Sequence, residues 1–397
     1  MRYLPFFVLI PLLTVCMSDI SSAQAPKWKK IVLTDKFHAE GSCISDFNND
    51  GIPDVAIGHF WYEGPDFKKI HQIFDGPEAR DWDPTGYSEC FGMFADDINN
   101  DGWVDILVCP HPGKDGFWYE NPKNAAVMWK KHLATIELGN ESQDFVDVLG
   151  IGRKSVLFNR NGLLGFATPN PEKPYEPWEF IAVSNQDGRF QRYTHGLGYG
   201  DINGDGKIDI LEKTGWWEQS SNPKATPWTF HPFPFSDNAA HMLVFDVDGD
   251  GRNDVITALD CHLYGFAWLK QVISRGGEIT FEQKVLIPRQ PAEDFFPKVS
   301  QLHALVAVDM NGDGILDVVT GKRFWAHGPE GDVAPNDPAL LMWWETKRNG
   351  ANTTMVPHVI DEDSGVGTQF AVGDLNGDNV PDIVIGNKKG SFLFLSE

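Results

Sequence analysis

The sequence predicts an all-β fold: a seven-bladed β-propeller of four-stranded blades, closed by an N-terminal strand, Trp28–Leu33, that completes the last blade. Three observations predict it. A nine-residue acidic loop recurs six times, each copy runs straight into a short apolar strand, and an aromatic strand follows each of these in turn. Aromatic and β-branched enrichment punctuated by Gly, Pro and Asn marks strands, and no long stretch holds a helical period. A unit of about 45–65 residues that repeats around a chain marks a propeller.

The loops come first. Asp201, Asn203, Asp205 and Asp209 place side-chain oxygens at positions 1, 3, 5 and 9, with Gly206 at position 6. Hard cations such as Ca²⁺ take six to eight oxygens from a tight loop of this kind, and the glycine allows the sharp bend. The same positions carry Asp46, Asn48, Asp50 and Asp54; Asp97, Asn99, Asp101 and Asp105; and Asp246, Asp248, Asp250 and Asp254. Two further copies are Asp309, Asn311, Asp313 and Asp317, and Asp374, Asn376, Asp378 and Asp382. In the last copy Asn379 stands for the glycine, the next best residue for a left-handed backbone. Six such loops predict about six Ca²⁺ sites. Asp201 to Glu212 also satisfies the EF-hand pattern, but an EF-hand needs flanking helices, and every copy here enters a β-type run such as Asp54-Val-Ala-Ile.

The aromatic strands read Trp61-Tyr62-Glu63, Trp118-Tyr119-Glu120, Trp216-Trp217-Glu218, Phe266-Ala267-Trp268, Trp343-Trp344-Glu345 and Phe392-Leu393-Phe394. Another strand then opens on an aromatic, as at Phe67, Trp129, Trp178, Trp228 and Phe281. The interval between the loops at 97 and 201 is about twice the first interval, so it holds a blade whose loop has lost its ligands, at 144–158. The chain ends on a third strand, and the spare fourth-strand motif at Trp28 closes the ring without an open edge.

The formal charge is −23, and 19 of the 56 acidic residues are loop ligands, so much of that charge belongs to the sites. A net acidic surface argues against nucleic acid or anionic lipid as partner. Arg2, the apolar run Leu4–Val15 and Ala23-Gln24-Ala25 read as an export signal cleaved after Ala25, leaving one domain over 26–397. The apolar run is too short to span a bilayer. Val15 before Cys16 makes a poor lipoprotein box, so soluble export is expected, to the periplasm, the cell surface or the medium. Of the cysteines left, Cys90 and Cys109 fall on neighbouring strands, where a disulfide and separate buried thiols are both open readings; Cys43 and Cys261 stand alone.

The loops with their apolar strands resemble FG-GAP/VCBS repeats, as in the propeller of integrin α chains, across nearly all of the mature chain. The resemblance implies a Ca²⁺-binding propeller and says little about activity. The second half, with His195-Gly-Leu-Gly-Tyr-Gly-Asp201, Gly321-Lys322-Arg323-Phe-Trp-Ala-His327-Gly and Gly386-Asn-Lys388-Lys389-Gly, looks more like the exported bacterial members. It is also similar to the propeller part of aldos-2-ulose dehydratases, which eliminate water from keto-sugars, although the cupin-like domains of those enzymes are absent from this sequence.

Propeller topology places the start of each innermost strand and the end of the next on the face opposite the loops. Glu40, Glu89, His195, His241, His303 and Gln369 lie at the starts, and His59, His111, Lys213, Asp260, His262, Lys322, Arg323 and Lys388 at the ends. So many polar groups around one channel mouth predict a ligand pocket there. A lone His near a strand end is usually a surface or hydrogen-bonded residue, so the prediction rests on their convergence. Two functions follow. One is a calcium-stapled disc that recognises a carbohydrate, glycan or extracellular protein at the mouth, with Glu89, Lys213, Asp260, His262, Gln369 and Lys388 as contacts. The other is a carbohydrate lyase or dehydratase, with His241 or His303 as base and Lys322, Arg323 or a second divalent metal on His195 and Glu89 as stabiliser.

Overall fold

A computed structural model describes residues 26–76, 86–350 and 352–397; the segment read as an export signal, with Cys16, lies outside them. Among the described residues every regular element is a strand, and there are 28. They form antiparallel four-stranded meanders arranged as a β-propeller, each running from an innermost strand through the acidic loop to a second, third and outermost strand. The first blade is Ser42–Ser45, Asp54–Ile57, Phe60–Glu63 and Lys69–Gln72. Asp209–Glu212, within the EF-hand pattern, is likewise a strand.

Trp28–Thr34 pairs antiparallel with Gly390–Ser396, Trp28 opposite Ser396, so the first strand of the chain completes the sheet of the last. The sheets number five of four strands and one of eight rather than seven separate ones. The eight-stranded sheet arises where the innermost strands Leu197–Gly200 and His241–Phe245 pair in parallel, Leu197 with His241 and Gly198 with Met242. Gly198 permits this approach: a Cβ there would lie 2.2 Å from the Met242 carbonyl oxygen.

Blades pack through their faces, so the core is divided into slabs between neighbours. One slab joins Val55 and Tyr62 of the first blade to Ile106 and Tyr119 of the second and to Val384 and Leu393 of the last. The aromatics that open the outermost strands bridge blades. The backbone N–H groups of Trp129, Trp178 and Trp228 donate to the carbonyls of Ile73, Ala134 and Val183 on the preceding blade, at 2.7–2.8 Å. Their indoles are buried. The four cysteines among the described residues are free and buried, so Cys90 and Cys109 form no disulfide; burial pushes both thiols up, Cys90 to about 12.

Candidate metal centre at the channel mouth

The six loops share one construction. The position-1 carboxylate accepts the backbone N–H of position 6 in every copy, at 2.7–2.9 Å. Position 6 is left-handed throughout, from φ 86° at Gly51 to 65° at Asn379. The degenerate loop keeps this turn: Gly152 donates to Asp147 at 2.6 Å although positions 3, 5 and 9 are Leu149, Ile151 and Ser155. The turn is therefore built by positions 1 and 6, and oxygens at 3 and 5 are not needed to shape it. In the copy with three aspartates, the carboxylates of Asp246, Asp248 and Asp250 offer oxygens within 4.8 Å of one another, but the ammonium of Lys270 already lies against two of them.

Position 9 has a second task. Asp54, Asp105, Asp209, Asp254, Asp317 and Asp382 are fully buried. Each accepts one backbone N–H from position 2 of its own loop and another from the third strand or the residue that follows it, all at 2.7–3.2 Å. Each carboxylate thus locks its loop to its sheet. Burial pushes Asp105, Asp209 and Asp317 up to about 7 and Asp54 and Asp254 to about 6, reinforced by neighbouring loop carboxylates. These groups hold protons in the folded chain that they lose in the unfolded one, so they withdraw stability as pH rises from about 4 to 7. A cation in the loop would offset that loss. The difference in melting temperature between Ca²⁺ and EGTA is therefore expected to widen from pH 5 to pH 8, by scanning calorimetry; a difference that does not change with pH would contradict it. Histidine terms are common to both arms and cancel.

On the opposite face, antiparallel pairing sets the end of a second strand beside the start of an innermost one, as Lys322 opposite Leu302. Three imidazoles meet there. His195 and His262 have ring centroids 4.7 Å apart, His262 and His303 5.1 Å, and His195 and His303 5.8 Å. Together with Cys261 they offer ligand atoms within 4.8 Å of one another. His303 Nδ1 lies 3.1 Å from the Gln301 carbonyl, leaving Nε2 without a partner, and His195 Nε2 and His262 Nδ1 also lack hydrogen bonds. Burial, with Arg323 and the other histidines, holds His303 well below the usual imidazole range, so it is neutral. Imidazole nitrogens without hydrogen bonds, converging in a largely buried cluster, suit a transition metal. Burial raises the Cys261 thiol.

The surroundings orient this cluster. Glu141 Oε2 lies 3.5 Å from His195 Nε2 and accepts from Arg323 Nη1 at 2.8 Å. Arg323 Nε donates to Glu40 Oε2 at 2.7 Å. Burial alone would raise Glu141, but Arg323 holds it well below the carboxylate range. Asp332 lies 3.4 Å from His262 Nδ1 and 2.9 Å from His327 Nδ1. Burial would raise Asp332 too, yet the two histidines keep it ionised. Tyr87, His111, Tyr193 and Asn238 complete a cavity of about 440 Å³ over the cluster. Burial keeps His111 below its ordinary value.

Of the residues expected at the mouth, His195, His262 and His303 come together with Arg323 behind them. Glu89 does not join His195; its carboxylate pairs with Lys114 at 2.8 Å on the surface, and the carboxylate beside His195 is Glu141. His241 sits inside the channel, 3.3 Å from the Gln143 carbonyl, and shares a separate cavity of about 290 Å³ with Gln369. Gln369 ties blades together, accepting from the Ser42 and Met93 N–H groups. Lys322 is buried against the Ala334 carbonyl, and burial lowers it to about 8. Lys388 donates to the Trp325 carbonyl at 2.7 Å, Lys213 to Asn238, and Asp260 caps the His262 N–H. His59 packs against His38 rather than the cluster. Glu141, Asp332, Cys261 and the pairing of His327 had escaped sequence reading; only His327 lay in a segment singled out there.

The FG-GAP repeat family model matches residues 366–391, which contain the loop at 374–382. Residues 366–391 thus match an FG-GAP repeat. No curated protein matches the chain. Among solved structures, this propeller is similar to BBS1N in its complex with ARL6DN, at 10% identity, TM-score 0.51, covering 94% of this chain and 98% of that one. It also aligns with the Vibrio cholerae biofilm matrix protein Bap1, at 12% identity, TM-score 0.45 and coverage of 94% and 91%. A third is the rhamnogalacturonan lyase YesW, at 12% identity, TM-score 0.45 and coverage of 94% and 74%. Such identities speak to fold alone.

Proposed function

We propose that the protein is an exported, calcium-binding propeller that binds a carbohydrate at the channel mouth, through a divalent transition metal on His195, His262 and His303. Counting the two meanders of the eight-stranded sheet separately gives seven blades. Calcium in the acidic loops stiffens one face, and the other face is left for recognition. The observation that carries the reading is the set of three imidazoles, two of them buried and one half-buried, whose nitrogens without hydrogen bonds converge beneath a polar cavity. Three protein ligands leave coordination positions for sugar oxygens. Glu141 and Asp332 lie 3.5 and 3.4 Å from His195 Nε2 and His262 Nδ1 and place negative charge beside the nitrogens that would hold the cation.

One feature favours a second reading, a carbohydrate lyase or dehydratase. His111, neutral by burial, stands in the same cavity with Tyr87 and Tyr193, ring centroids 5.0 and 5.4 Å away, and can accept a proton from a bound sugar. A cation on the cluster would supply electrostatic stabilisation of charge developing on the sugar.

The test begins with Zn²⁺ titrated into metal-stripped protein by calorimetry. Keto-sugars and uronic-acid polymers are then added, and unsaturated products are followed by absorbance. His303→Ala is expected to weaken Zn²⁺ binding by about 100-fold or more and to abolish sugar binding. Asp54→Ala should leave both in place. Equal Zn²⁺ affinity in the His303→Ala variant would overturn the proposal, and product formation would select the lyase reading.

A further inference from the structure

We infer that the loop at 246–254 does not take calcium, because the ammonium of Lys270 already occupies it. The inference rests on the reading of the acidic loops as Ca²⁺ sites. In each blade one residue of the third strand precedes the backbone N–H that locks position 9. That residue is Glu63, Glu120, Glu218, Lys270, Glu345 or Leu395. In three copies this residue touches the loop: Glu120 and Glu345 lie 3.4 Å from the position-3 amides of Asn99 and Asn311, and Lys270 reaches Asp248. Four copies carry a carboxylate at this position, one a neutral leucine, and one a cation.

The cation is matched by a second change. Position 3 is Asn48, Asn99, Asn203, Asn311 or Asn376 in the other loops, and Asp248 here. Lys270 Nζ bonds to Asp248 and lies 3.1 Å from Asp250, while Arg252 pairs with Asp250 as well. The extra carboxylate is taken up by the ammonium, and the loop closes on itself. A third difference follows the same pattern. His71, His132, His231 and His358 stack on the third-strand tryptophans and bond to Glu63, Glu120, Glu218 and Glu345 at 2.7–2.9 Å. Here Lys284 lies over Trp268 instead, 4.2 Å from the ring centroid. The sign of the charge is thus reversed at the third strand, with matching changes at loop position 3 and on the fourth strand. A lysine held among carboxylates repels a divalent ion and blocks two of its oxygens.

Calcium stoichiometry of the full mature chain, by equilibrium dialysis with elemental analysis, tests this. The wild type is expected to hold one ion fewer than Lys270→Glu, in which the ammonium is gone and the third strand carries a carboxylate as in four neighbouring copies. Equal counts in the two proteins would overturn the inference while leaving calcium binding intact. No calcium in either would overturn it together with the reading of the loops. Should Lys270→Glu not fold, Mn²⁺ soaked into wild-type crystals decides: anomalous density at other loops and none at 246–254 supports the inference, and a peak at 246–254 overturns it.

Discussion

Arg323→Leu is expected to destabilise the propeller by about 3–5 kcal/mol, the usual penalty for removing one partner of a buried ion pair. Arg323 and Glu40 are each 2% exposed and Glu141 is 7% exposed. The guanidinium spans the channel mouth, joining Glu40 before the first blade to Glu141 before the third, while its own backbone N–H donates to the Gln301 carbonyl. Leucine would leave two carboxylates in a buried site without a cation. Urea denaturation measures the loss. Adding Glu40→Gln and Glu141→Gln should restore part of it, which a simple packing defect would not allow. A loss below about 1 kcal/mol would contradict the central role given to this contact.

Chelation should have a still larger effect. At free Ca²⁺ tenfold above Kd, each site contributes about 1.4 kcal/mol, so several loops together reach about 7 kcal/mol. The acidic residues they carry leave the chain at a formal −23 without ions. EGTA is expected to lower the melting temperature by about 10 °C or more, and added Ca²⁺ to restore it. An unchanged melt would mean that the turns stand without cations, as the loop at Asp147 does by its Gly152 contact.

Much of this was legible in the sequence because it repeats. Position 1 and position 6 recur with the loop geometry they impose, and Trp61, Trp118, Trp216 and Trp343 mark third strands because burying an indole between blades needs the same register each time. The closing strand at Trp28 was visible by counting. What does not repeat was not legible. Asp332 reaches His262 and His327 from a loop, and Glu141 reaches Arg323 across 182 residues, so neither spacing nor period announces them. His195, His241 and His303 look equivalent in sequence, each at the start of an innermost strand. Side-chain direction separates them: His195 and His303 turn to the mouth and His241 into the channel. Glu89 was misplaced for a similar reason, because Lys114 draws it outward.

The most direct test of a metal-dependent mouth opposite a calcium-stiffened face is anomalous diffraction at the zinc edge from crystals grown with Ca²⁺ and Zn²⁺. One zinc peak bonded to His195, His262 and His303 is the predicted result. Filled acidic loops with no peak among those histidines would contradict it.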